Sequence, residues 1–175
     1  HLDGVRRAYL HEAVASALEL LHEETPDELH GLAPRLAWHF ELAGLTDQAA
    51  MHHLRAGNRA AKLAAHQEAI NHLTHGLALL DPLSATPGRT RLKLDLQLAM
   101  VTPLSMTRGF WAPERIGALE QANKLSGQPD LSESPEQRVL LTVQAYFAFL
   151  SAQPDRTLEI AREILQEAER SQDQQ

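Results

Sequence analysis

The chain is 175 residues long, 43% hydrophobic but only 5% aromatic, a balance that suits a core of helix packed on helix. Its 16 Lys and Arg against 23 Asp and Glu leave a formal charge of -7, which argues against the basic face that a duplex nucleic-acid binder normally shows. With no cysteine, disulfides, thiolate metal sites and cysteine nucleophiles fall away together, and a reducing, cytoplasmic setting is the expectation.

In chain order, Leu10, Val14, Ala17, Leu18 and Leu21 recur at helical spacing and predict a first amphipathic helix from Asp3 to Glu24. Thr25-Pro26-Asp27-Glu28 supplies an N-cap, a proline at the first helical position and an acid at the third, so a helix restarts there. Gly31 and Pro34 then predict a break, because an interior proline loses a hydrogen bond and clashes with the preceding turn, with a proper helix only from Pro34 to Ala43. Gly44 is placed to end it in the left-handed conformation. Thr46 opens a third helix reaching Ala64, and His66 to Leu80 forms a fourth.

The stretch 81–88, with two prolines and a glycine, reads as a linker between sub-halves 1–82 and 89–175 of a single repeat domain. A fifth helix from Arg89 is disturbed at Pro103 and stops at Gly109, and a sixth runs from about Pro113 to Gly127. Ser134-Pro135-Glu136-Gln137 caps a seventh carrying Tyr146, Phe147 and Phe149, and Gln153-Pro154-Asp155 separates it from an eighth. No stretch alternates with period two. No apolar run approaches the roughly 18 residues that span a bilayer, and no signal peptide opens the sequence, so a soluble protein is expected. The start at His1, already inside a helical pattern, suggests a piece of a longer polypeptide.

The predicted architecture is all-α: a right-handed α-solenoid of about four antiparallel helix hairpins. The tetratricopeptide slots of the third and fourth helices are held by His53, Ala56, Gly57, Ala60, Ala69, Leu73 and Pro82. Gly57 and Ala69 carry almost no side chain, so two helices can close there while Leu73 fills the space alongside. Repeat packing is therefore assigned to Gly57, Ala69, Leu73 and Pro82. His53 and Ala60 stand where the pattern has aromatics.

Arg6 to Glu19, Leu36-Ala37-Trp38-His39-Phe40-Glu41-Leu42-Ala43-Gly44, the Ala49 to Leu80 repeat and Thr107-Arg108-Gly109-Phe110-Trp111-Ala112-Pro113-Glu114 together carry a more specific resemblance. They resemble the tetratricopeptide-like region that follows the ATPase module in bacterial STAND-type signalling ATPases, among them multidomain transcriptional regulators and adenylate or guanylate cyclase-linked predicted ATPases. The resemblance implies a non-catalytic arm for protein–protein interaction or effector sensing. Its implied partners are a protein or peptide, foremost the flanking ATPase or output domain, or a small effector, with no direct nucleic-acid contact and no membrane. The family often has a Tyr-Trp pair where this chain has His52-His53. No Gly-x-x-x-x-Gly-Lys-Ser/Thr loop occurs, so no nucleotide site, and no cofactor, is assigned to these residues.

Counting from Gly57 places Leu54, Asn58, Ala61 and Lys62 toward the concave groove of such an array. The fifth helix would add Asp95, Leu98, Thr102 and Met106, and the seventh Thr142, Tyr146 and Phe149. Asn58, Lys62, Thr102 and Tyr146 are the candidate partner-binding residues: an amide and an ammonium for carboxylates or backbone carbonyls, and an aromatic for an apolar anchor.

The ten histidines raise an enzyme reading. His72 and His75 share a helix face, with His52, His53 and His66 nearby. A zinc site needs three or four converging ligands, and no His-Glu-x-x-His occurs. No metal ligand and no catalytic residue is assigned, and a His-based metal hydrolase is the remotest reading. A structural spacer that self-associates as a homodimer is the nearer alternative.

Overall fold

A computed structural model describes residues 2–22 and 25–126 and the single helical positions Leu158, Arg162 and Gln166. Among the described residues there are six longer helices and no strand: α1 (Leu2–Leu21), α2 (Pro26–Leu42), α3 (Thr46–Lys62), α4 (His66–Leu80), α5 (Pro87–Arg108) and α6 (Pro113–Ser126). The seventh and eighth predicted helices lie outside the described residues, apart from those three positions. No helix of the described residues is long and apolar enough to cross a membrane.

Two predicted interruptions do not form. The expected break at Gly31 and Pro34 is absent, and α2 runs unbroken with Pro34 inside it. Proline forfeits one backbone bond there, but Ala33, Leu36, Ala37 and Phe40 on either side of it are buried, and their packing outweighs that loss. In the same way α5 continues through the buried Pro103 to Arg108. The predicted linker is also shorter, because Thr86 caps α5 by accepting a 3.3 Å hydrogen bond from the Arg89 amide, and Pro87 takes the first helical position.

The links after α2 and α3 are built alike. Gly44 (φ +76°) lets the Leu45 amide reach the Phe40 carbonyl at 2.9 Å and the Gly44 amide reach Glu41 at 3.0 Å. Twenty residues on, Ala65 reaches Ala60 at 2.9 Å and Ala64 reaches Ala61 at 3.1 Å, with Ala64 itself at φ +59°. Both are Schellman closures that satisfy orphan carbonyls at the helix end, one with the residue that favours it and one without.

Each helix packs on the next in chain order, and α3 also touches α5. The α3–α4 pairing is antiparallel and close. A Cβ on Gly57 would stand 2.6 Å from Leu73 Cγ and 3.3 Å from the Ala69 carbonyl, whereas one on Gly76 would stand 3.2 Å from His53 Cβ and 3.4 Å from the Ala50 carbonyl. Ala50, Leu73, Leu80 and Leu96 form one buried cluster, joined by Leu54, Leu77, Leu83 and Leu92, so apolar packing runs from α3 and α4 across 81–86 into α5. Ala15, Leu36, Phe40 and Ala49 tie α1, α2 and α3, and Leu94, Leu119 and Ala122 tie α5 to α6.

Candidate functional site

Histidines gather where α2, α3 and α4 meet. His53 projects from the buried side of α3, where Ala56, Gly57 and Ala60 keep the neighbouring backbone close, and it is only 8% exposed. From α4, His72 places Nδ1 3.1 Å from His53 Nδ1, and the His75 ring lies 4.6 Å from the His53 ring, centre to centre. From the last turn of α2, Glu41 sets a carboxylate oxygen 2.9 Å from His75 Nε2 and 3.8 Å from His53 Nε2. Burial above all, then the neighbouring His75 and His72, pushes the His53 imidazole down to about 4, with Glu41 opposing. The ring is therefore neutral at pH 7. His72 is lowered for the same first reason, burial, with the carboxylate of Glu68 working against it.

Two further histidine pairings flank this cluster. His52 is fully buried, stacked on Phe40 at 5.2 Å, and donates from Nε2 to Glu19 at 3.0 Å; burial holds its pKa below the ordinary value. Between α1 and α2, His11 and His39 bring their Nδ1 atoms to 2.9 Å beside Trp38, which is 53% exposed and meets both rings edge-on. His39 is lowered by burial first and by His11 and Arg35 after it.

The predicted groove residues among the described ones lie on α3 and α5. Asn58 and Lys62 are exposed on α3 and Thr102 is exposed on α5. Tyr146 lies outside the described residues, as do Thr142 and Phe149. Leu54 and Leu98, counted toward the groove, pack into the core instead, because their positions on α3 and α5 face the helices alongside. Asp95 accepts a hydrogen bond from Arg91 at 3.2 Å. Of the residues assigned to repeat packing, Gly57, Ala69 and Leu73 meet at the α3–α4 contact, whereas Pro82 is exposed in the turn after α4. A shallow cleft of about 280 Å³ opens elsewhere, among Leu77, Asp81, Lys93, Gln97, Gln121, Lys124 and Leu125.

No family model, curated protein or solved structure matches the chain.

Glu41, His53 and His75 each offer one atom able to ligate a cation, all within 4.8 Å of one another. The histidines of α3 and α4 group in the sequence, whereas Glu41 comes from a third helix and carries no metal-ligand spacing relative to them. The signal available was its position: Glu41 sits in the last turn of a helix that folds straight back, so its side chain is delivered to the second half of the next hairpin.

Proposed function

We propose that the chain is a non-catalytic helical-repeat module, tetratricopeptide-like, that serves as the interaction or effector-sensing arm of a larger signal-transducing or transcription-regulating ATPase. The observation that carries this reading is the α3–α4 hairpin. Gly57 lies under Leu73 with no room for a methyl group, and the next helix in the chain, α5, lies on both partners. Hairpins that close on small residues and then stack on the following helix are the unit from which binding arrays are built. Helix starts support it too: Pro26, Thr46, His66 and Pro87 follow at 20, 20 and 21 residues. The hairpin starting at Thr46 thus spans 41 residues before Pro87, longer than the 34 of a standard tetratricopeptide.

A spacer or self-associating role is favoured by a different observation. Along α1, Val5, Tyr9, Leu10, Val14, Leu20 and Leu21 are all exposed, Val5 and Leu21 by about three-quarters. Exposed apolar side chains in that number on one helix are favourable ground for a partner.

The two readings separate in light scattering of the chain alone and mixed with the polypeptides encoded beside it in its full-length gene. A saturable one-to-one complex, weakened by Asn58→Ala, Lys62→Ala or Tyr146→Ala, is the result expected for the interaction arm. A stable dimer that ignores those polypeptides and dissociates with Tyr9→Glu and Leu20→Glu would replace it by the spacer.

A further inference from the structure

We propose that Glu41, His53 and His75 form a binding site for one divalent cation of the zinc class, clamping α2, α3 and α4 together. The inference stands on its own side chains and does not depend on the repeat-module reading.

Two independent features carry it. The first is convergence. A tetrahedral zinc ion bound at about 2.0–2.2 Å holds its ligand atoms about 3.3–3.6 Å apart. The Glu41 oxygen lies 2.9 Å from His75 Nε2 and 3.8 Å from His53 Nε2, values on either side of that span, with all three ligand atoms inside 4.8 Å. Glu41 and His75 are exposed and can move by the ångström or so that closing the widest of the three separations requires, while His53 is fixed by its burial. Two imidazoles and one carboxylate are a donor set that suits zinc over calcium or magnesium, which take oxygen.

The second is an orphaned buried atom. His53 Nε2 is enclosed and has no hydrogen-bond partner, and the group facing it is the Glu41 carboxylate. Only one of the two nitrogens shared by His53 and His72 can carry the hydrogen between them. If His53 Nδ1 donates, its Nε2 presents a lone pair to a carboxylate, acceptor against acceptor. If His72 Nδ1 donates, its Nε2 turns a lone pair on Glu68, 3.9 Å away. A cation between His53 and Glu41 removes the conflict: His53 ligates through Nε2 and donates from Nδ1 to His72, whose Nε2–H then points at Glu68. A chain of ligand, histidine and carboxylate is how metal-bound imidazoles are held in orientation and tautomer. Three protein ligands leave a fourth position open at the exposed rim, for water or for a carboxylate from a partner.

The test is titration of the chelator-washed chain with ZnCl₂ by calorimetry, and with CoCl₂ by visible absorption. One cation per chain is expected, with a raised melting temperature and the intense visible bands of a tetrahedral cobalt site. Glu41→Gln and His75→Ala, both at the rim and therefore compatible with folding, should each lower affinity at least about a hundredfold. His72→Phe should lower it about tenfold, in the range of outer-sphere partners, and His11→Ala should leave it unchanged. Absence of saturable binding overturns the proposal. So does binding of equal strength in Glu41→Gln and His75→Ala, which would assign the affinity to scattered surface histidines, or weak octahedral cobalt bands.

Discussion

Replacing Gly57 by alanine sets two effects of known sign against each other. Alanine is the better helix former by about 0.8–1.0 kcal/mol, and α3 would gain that much from propensity alone. The added Cβ, however, would stand 2.6 Å from Leu73 Cγ and 2.7 Å from its Cδ2, with the Ala69 carbonyl at 3.3 Å behind. Leu73 is fully buried, and the nearest atom is its branch point, not a free end that could swing aside. Overpacking of this kind costs about 1–3 kcal/mol, and contacts below 2.8 Å belong in the upper half of that range. The net destabilisation should be about 1–2 kcal/mol, a fall of roughly 2–8 °C in melting temperature for a chain of this size. Urea unfolding followed by far-UV circular dichroism reads it directly. The control is Leu73→Ala, which alone costs about 2–5 kcal/mol but leaves space for the new methyl. In that background Gly57→Ala should become neutral or stabilising by up to about 1 kcal/mol. If Gly57→Ala stabilised the unmodified chain by the full propensity gain, or cost the same in both backgrounds, the close approach of α3 and α4 at this point would be wrong.

Three further outcomes follow from the described contacts. Ala64→Gly should stabilise by about 0.5–1 kcal/mol, since it relieves a left-handed alanine, and Gly44→Ala should cost about 1 kcal/mol; urea midpoints at unchanged slope would check the pair. Arg115 is buried, donates to Ser105 Oγ at 2.8 Å and to the Phe110 carbonyl at 3.1 Å, and lies 4.7 Å over the Phe110 ring; Arg115→Ala should cost about 1.5–3 kcal/mol and loosen the turn from α5 to α6, seen as faster amide exchange at residues 109–112. The bidentate bond from Arg89 holds the Asp47 carboxyl below its ordinary value. Because that pKa is depressed in the folded chain, its stabilisation is present above the unfolded carboxyl value near about 3.9 and is lost as pH falls through the folded one, so Asp47→Asn should differ from the parent at pH 7 and converge with it in acid.

Local signals were legible in the sequence and long-range ones were not. The fourth helix is found at His66–Leu80, and Gly44 turns left-handed, because both depend on neighbours within one turn. Pro34 and Pro103 misled for the opposite reason. Their local penalty is real, but buried residues on the same helices overrule it, and burial is decided by partners far away in the chain. Ala64 carried no sign of its positive φ. The meeting of Glu41 with His75 spans 34 residues, and only the antiparallel fold of α3 on α4, laid against the end of α2, brings that carboxylate to the histidines.

The even spacing of helix starts has a mechanical side. With α2, α3, α4 and α5 beginning 20 or 21 residues apart, pulling the chain from its ends would release each helix and its link as a nearly equal length, about 70 Å when fully extended. A cation held by Glu41, His53 and His75 would close the 34 residues from 41 to 75 into one loop, nearly two of those lengths, so that tension would have to break the site before that stretch could lengthen.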